Sequence, residues 1–396
     1  MLACGTATKK ADRPEVWIWQ GIVAHHMLYW AEAVAACGFA VTFVADRAMS
    51  KERSELGWTA PQPNKIRVLV GISPDQAVAL ARGSAQDSVH ICPGVKSGGV
   101  SGAARAALIR EGRGFWTIME TVDPRGWKGL FKRQYYAYKL SNFGSALKCV
   151  LAIGRDTDKW VVQCGVKPVM VFPFAYFLSR ESHHSSEGQE EDRSVFRIIY
   201  IGQLVTRKRL DLLFEALASL VDHDFEVHIL GSGSEENRLR SAVVPSLRDR
   251  VVWRGVVPMD SVHSELAAAD CLVLPSDHDG WGAVVSEALL AGTPAICSSA
   301  CGASEVVISS GVGGVFTKGS VSELRSCLLA AIRGGRQSRA ERDFLSNWAR
   351  SLDADAGATY FAQIHAYLAG EATGPRPVPP WRREVKSGSN LGGTGL

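Results

Sequence analysis

Asp279 and Glu287 are the two residues of this sequence best placed to act on a bound ligand. The run Asp279-Gly280-Trp281-Gly282-Ala283-Val284 follows the apolar segment Cys271–Leu274 and leads into Val285-Ser286-Glu287-Ala288-Leu289-Leu290. That order predicts a buried strand ending at Pro275, a short acidic loop, and a helix opening near Ala283. Gly280 and Gly282 permit close backbone approach, and the free N–H groups of a helix start attract phosphate. Two carboxylates so spaced can grip hydroxyls on either side of such a phosphate. The plainer alternatives are a helix N-cap for Asp279 and a solvated helix face for Glu287, although apolar flanks argue that Glu287 points inward. Asp277-His278-Asp279 also matches the short Asp-x-Asp pattern that can hold a divalent metal, a pattern common by chance.

A second cluster is cationic. Tyr200-Ile201-Gly202-Gln203-Leu204 reads as a strand running into a Gly turn, and Arg207-Lys208-Arg209 then opens an amphipathic helix carrying Leu212, Leu213 and Leu217. Three cations at a helix N-terminus oppose its dipole, and an anionic ligand would offset the cost. A solvated basic loop is the alternative.

These loops need a scaffold that delivers both to one place. Short apolar strands alternate with amphipathic helices through both halves of the 396 residues, the pattern of parallel sheets with crossover helices. Strands are expected at 16–19, 39–45, 66–70, 89–92 and 149–153, then at 197–201, 225–230, 251–253, 271–274 and 294–297. Helices are expected at 25–37, 208–220 and 360–368. Ser179 to Ser194 contains no large apolar residue and reads as an exposed linker, in which His183-His184 is a solvated pair rather than a metal site. The expected division is therefore an N-terminal domain at 1–178, a linker at 179–194, a C-terminal domain at 195–350, a last helix within 351–370, and a disordered tail at 371–396. Open α/β sheets bind ligands at the carboxyl ends of their strands, which is where both clusters fall.

Bulk properties exclude little. With 46% hydrophobic and 21% charged residues and a formal charge of +4, the chain is an ordinary globular protein too long for one core. Nine scattered cysteines with no Cys-x2-Cys pair suit buried thiols in a reducing cytosol, not a disulfide framework. Leu2-Ala3-Cys4 lacks the charged and apolar stretches of a lipoprotein leader, and no apolar run reaches a membrane span. A cytoplasmic protein is expected, meeting a membrane from the side if at all.

On these motifs the sequence resembles the retaining glycosyltransferases of family 4, the group 1 enzymes of bacterial exopolysaccharide, capsule and lipopolysaccharide synthesis. The resemblance covers roughly residues 196 to 308. It implies the GT-B fold, two facing Rossmann-like α/β domains with a cleft between them and the donor bound by the C-terminal half. The family's acid, seven residues, Glu signature appears as Asp279 and Glu287, with Trp281-Gly282 between. This implies that Glu287 holds the donor ribose, that Asp279 lies beside the donor sugar, and that Gly280, Trp281, Gly282, Ala283 and Val284 belong to the donor site, with backbone amides from Gly282 on meeting sugar and phosphate. Asp in place of Glu at 279 shortens the arm by one methylene. The family's diphosphate-binding Arg and Lys fall at Gln203 and Lys208, so Arg207 or Arg209 would supply the missing charge beside Gly202. Gly231-Ser232-Gly233 and Arg254-Gly255-Val256 resemble the family's Gly-x-Gly loop and base-reading segment, and Gly302-Ala303-Ser304-Glu305 its Gly-rich turn.

The function so implied is transfer of a hexosyl group, with retention, from a nucleoside-diphosphate sugar to a hydroxyl of a glycan or lipid-linked glycan, with Lys208 and Asp279 at the reaction centre and no metal or other cofactor. Two other functions stay open: a catalytically inactive sugar-nucleotide-binding protein, given Gln203 and Asp279, and a nicotinamide-dependent oxidoreductase using Gly231-x-Gly233, which lacks the third Gly. Gly21, His25, His26, Glu120 and Asp123 are weak acceptor-side candidates. Between Pro124 and Gly154 there is no acidic residue, and Trp127, Phe131, Tyr135 and Tyr138 recur at helical spacing beside Lys128, Lys132 and Lys139. That stripe suits a helix lying on an anionic membrane surface or an aromatic core face with a solvated basic edge. Nucleic acid is not expected as a partner.

Overall fold

The computed structural model of the protein describes residues 13–49, 63–123, 126–179 and 195–382, the side chain of Lys128 excepted. Within these the chain forms two compact units. The first comprises most of the chain up to Phe172, and the second Pro173 onward together with Glu120–Asp123 and Ile153–Asp158.

The first unit is built on β1 (Glu15–Ile22), β2 (Ala40–Arg47), β3 (Arg67–Val70), β4 (Val89–Pro93), β5 (Phe115–Glu120), β6 (Leu147–Ile153) and β7 (Val171–Phe174), arranged β3-β2-β1-β4-β5-β6-β7. β1 pairs in parallel with both β2 and β4, Val16 standing opposite Val41 and Val89. A strand sandwiched that way is apolar on both faces, which is why Val16-Trp17-Ile18-Trp19 is buried without alternation. The indole Nε1 of Trp19 donates to His90 Nδ1 at 3.1 Å. Burial, helped by the nearby Arg113, pulls His90 down to about 3, so the imidazole is a neutral core member.

The second unit carries β8 (Phe196–Ile201), β9 (Phe225–Leu230), β10 (Val251–Gly255), β11 (Cys271–Leu274), β12 (Ala295–Ser298) and β13 (Gly314–Phe316) in the order β10-β9-β8-β11-β12-β13. All described pairings in it are parallel. The direction of winding reverses between β8 and β11, the switch point at which such sheets open a crevice. The expected α/β architecture of two Rossmann-like parallel sheets is therefore present.

Three expectations are corrected. The helix expected from Lys208 begins at Leu210, because Arg209 takes a left-handed backbone (φ 53°) after a 3-10 turn over Thr206–Lys208. The segment read as a disordered tail is mostly exposed over 371–378 but packs at Pro379–Trp381. Trp381 is fully buried, and its Nε1 donates to Glu305 at 3.1 Å, because one indole covers more apolar surface than the surrounding Pro, Gly and Arg residues suggest. The remaining tail, the linker residues 180–194 and the His183-His184 pair lie outside the described residues. The aromatic stripe is not a core face. Along the helix Gly126–Ser141, Trp127 is 67%, Phe131 70% and Tyr138 63% exposed, while Leu140 is buried and Tyr136 packs edge-on against Trp160.

Candidate active site

The site lies where β8 and β11 end side by side. Leaving β8, the chain turns at Gly202, crosses Gln203–Val205 and forms the short turn ending at Lys208. Leaving β11, it passes Pro275–Asp279 to Gly282. The two loops are tied by a backbone hydrogen bond from Asp277 N to Arg207 O at 2.8 Å. Side chains then pair across them. Lys208 Nζ, a buried ammonium, donates to Asp279 Oδ2, and Arg207 Nη1 lies 4.0 Å from the same oxygen. Arg209 is engaged elsewhere: it reaches Asp277 at 3.2 Å and grips Asp211 at 3.1 and 3.0 Å. Its charge is matched by two carboxylates, which leaves Lys208 and the exposed Arg207 as the cations facing the loop. Each acid of the Asp277-x-Asp279 pair thus has its own cation, and no group of three metal-ligating side chains occurs among the described residues.

Asp279 is not an N-cap. The helix Ala283–Leu290 starts from Gly282 in a left-handed conformation (φ 88°), and no side chain caps it. Its first N–H groups are open for an anion. Gly282 is obligatory: a Cβ there would come within 2.7 Å of Cys301 Sγ and 2.9 Å of Leu274 Cδ2. Glu287, one turn into that helix, is half-buried. Burial pushes its carboxyl up to about 7, and no side chain among the described residues donates to it. A carboxylate held in that state gains from any ligand hydroxyl that reaches it.

Trp281 plays a different part from the one its motif suggests. Its ring is buried, Nε1 donates to Ser286 Oγ at 3.0 Å, and its carbonyl accepts from Ala303 N at 2.7 Å. It anchors the loop from below. Gly231 and Gly233 likewise serve the loop: Cβ atoms there would strike Gly202 O at 2.0 Å and Leu204 O at 2.3 Å. The Gly-x-Gly step therefore lets two loops lie against each other, which accounts for it without a dinucleotide. Tyr200, buried, donates to Gln203 O at 2.8 Å and fixes that turn while the Gln203 side chain stays exposed. Val256 is exposed beside Gly255, and Arg254 pairs with Glu265 at 3.0 Å.

Glu120 falls in this same unit. Its carboxylate accepts from Tyr176 Oη, and burial, with the charge on Asp279 second, raises its pKa. It fills the space beside Gly280, where a Cβ would sit 2.1 Å from Glu120 Oε2. Asp123 pairs with Lys318 at 3.8 Å. Gly21 and the His25-His26 pair lie in the other unit, at the end of β1 and the start of the helix His25–Ala36, where His25 is buried and its ring tilts against Tyr29.

Motif reading overlooked Gly154, Tyr176 and Cys301. A Cβ on Gly154 (φ 92°) would meet Thr121 Oγ1 at 2.2 Å and Gly280 O at 2.8 Å, and one on Gly302 would meet Gly280 O at 2.0 Å. A Gly directly after the apolar strand Cys149–Ile153 was the one available signal for Gly154. Nothing local marks Tyr176 or Cys301.

Residues 179–342 match the family model for glycosyl transferases, group 1. The chain is 30% identical over 237 residues to the putative teichuronic acid biosynthesis glycosyltransferase TuaC of Bacillus subtilis, covering 56% of this chain and 55% of TuaC. It is 32% identical over 135 residues to the 2-deoxystreptamine glucosyltransferase of Streptomyces kanamyceticus, covering 33% of this chain and 31% of that enzyme. The aligned region therefore spans only part of these curated relatives. The solved structure of Anabaena HepE in complex with UDP superposes with a TM-score of 0.68 at 15% identity, over 89% of this chain and all of HepE. The fold is GT-B.

Proposed function

We propose that this chain moves a hexosyl group from a nucleoside-diphosphate sugar to a hydroxyl of a glycan or lipid-linked glycan, with retention of anomeric configuration. The observation that carries the reading is the convergence, at the β8/β11 switch point, of Lys208 held by Asp279, an uncapped helix start, and a half-buried Glu287 to which no side chain among the described residues donates. In this reading Glu287 accepts hydrogen bonds from the ribose hydroxyls. The N–H groups of Ala283 and Val284 meet phosphate oxygens, and Lys208 with Arg207 supplies the positive charge. Asp279, by gripping Lys208, fixes the ammonium before substrate arrives, so little reorganisation is left for the transition state.

As the glycosidic bond breaks, its electron pair goes to the leaving diphosphate, whose growing charge Lys208 and the helix start stabilise. The acceptor oxygen adds to the anomeric carbon on the same face, and its proton passes to the departing phosphate oxygen. No side-chain nucleophile and no divalent metal are required. In this reading Glu120, next to Gly280, serves the acceptor. The names of the relatives, a glucosyltransferase and a teichuronic acid enzyme, and the UDP held by HepE support a nucleotide-hexose donor.

The test is incubation with UDP-, GDP- and ADP-hexoses and a mixture of acceptor glycans after EDTA treatment and dialysis. Nucleoside diphosphate release should exceed that of Glu287→Ala, and the proton coupling at the product's anomeric carbon should match that of the donor. Release equal to that of the variant for every donor would leave only an inactive binding protein. Activity restored by manganese alone would return Asp277 and Asp279 to the role of metal ligands.

A further inference from the structure

A helix on a globular surface ordinarily turns its large apolar side chains toward the core. The helix Gly126–Ser141 does the reverse. Its packing face carries Leu140 and Tyr136, the latter against Trp160, and its outer face carries Trp127, Leu130, Phe131, Tyr135 and Tyr138, from 37% to 70% exposed. At 3.6 residues per turn these five fall within a stripe about 140° wide, opposite the buried side. Trp127 and Phe131 stack edge-on at 5.9 Å. One border of the stripe is cationic. Lys139 and, from a neighbouring loop, Lys96 place their ammonium groups 5.7 and 4.9 Å from the Tyr135 ring, with Lys132 exposed beside them. No acidic residue occurs from Pro124 through Arg155.

We propose that this face rests on an anionic lipid surface, the aromatic rings entering the headgroup layer and the lysines contacting lipid phosphates. Trp and Tyr present an apolar ring with a polar edge, which suits that depth. A row of cations bordering the rings attracts a negative surface and repels a second copy of itself, so self-association does not account for the face. The surface belongs wholly to the first unit and the Lys208–Glu287 site to the second, so the proposal does not depend on the proposed reaction.

The experiment is sedimentation of the full chain with vesicles of phosphatidylglycerol and phosphatidylcholine, or of phosphatidylcholine alone, at low and high salt. Binding is expected only to the anionic vesicles, with release as salt rises. Lys132→Gln with Lys139→Gln should weaken it roughly fivefold per charge. Trp127→Ser with Phe131→Ser, at exposed positions, should abolish it while the melting temperature is unchanged. Absence of wild-type binding at low salt overturns the proposal. Lipid binding unaffected by the serine variant does so too. If the serine variant instead changes the oligomeric state in lipid-free solution, the face is a protein interface and the lipid proposal fails.

Discussion

Glu287 illustrates how a carboxyl kept out of water costs stability. Its carboxyl titrates near 4.5 in an unfolded chain and near 7 in the fold. A raised carboxyl pKa penalises the folded state once the group ionises. The penalty is absent below about pH 4.5, grows between 4.5 and 7, and is complete above 7, where it amounts to about 3 kcal/mol. Glu287→Gln should therefore stabilise the ligand-free protein above pH 7 and leave it unchanged near pH 4.5, as urea unfolding at the two pH values would show. A difference independent of pH would mean the carboxylate is well solvated. Lys208 poses the opposite problem, because its removal strands the Asp279 charge. Lys208→Ala should lower kcat by about 10²-fold and also cost about 3 kcal/mol of stability. Adding Asp279→Asn should recover the stability and not the turnover. A double variant that recovers both would make the pair structural.

Elements were legible in the sequence where a single physical signal governed them. The buried strands of both sheets announce themselves as uninterrupted apolar runs, and the strand, loop and helix around Gly282 follow from the two glycines and the change of periodicity. What could not be seen is what depends on distant partners. Arg209 looks like a phosphate ligand until Asp211 and Asp277 are found around it. Trp281 sits in a signature motif and yet serves the core, because Ser286 offers its N–H a partner. The tail lacked any local pattern, and Trp381 is held by Glu305, Trp281 and Phe177 from three distant points of the chain. Trp381→Ala should accordingly cost about 4 kcal/mol, as for other large aromatic truncations in a core, and deletion of everything after Thr373 at least as much. A melting temperature unchanged by that deletion would restore the tail to the solvated segment its composition suggests. Gly302→Ala tests the loop itself: with Gly280 O 2.0 Å from the added carbon, the Asp279–Gly282 backbone must move, and nucleotide affinity should drop though residue 302 need not touch the ligand.

At the scale of the whole molecule, two Rossmann-like units share one chain, and the residues with unspent chemical potential gather in the second. Lys208 from the loop after β8, Asp279 from the loop after β11, and the helix that carries both Ala283 and Glu287 meet where the sheet's winding reverses. Among the described residues no helix is long and apolar enough to cross a membrane. The central claim is that the β8/β11 crevice binds a nucleoside diphosphate through Glu287. Isothermal titration of wild type and Glu287→Ala with UDP, GDP and ADP, in EDTA-treated buffer, measures it directly. At least one diphosphate should bind wild type without metal and bind the folded variant about 100-fold more weakly, the loss of two hydrogen bonds to a charged group, about 3 kcal/mol. Equal affinity for both proteins, or no diphosphate bound by either, would contradict it.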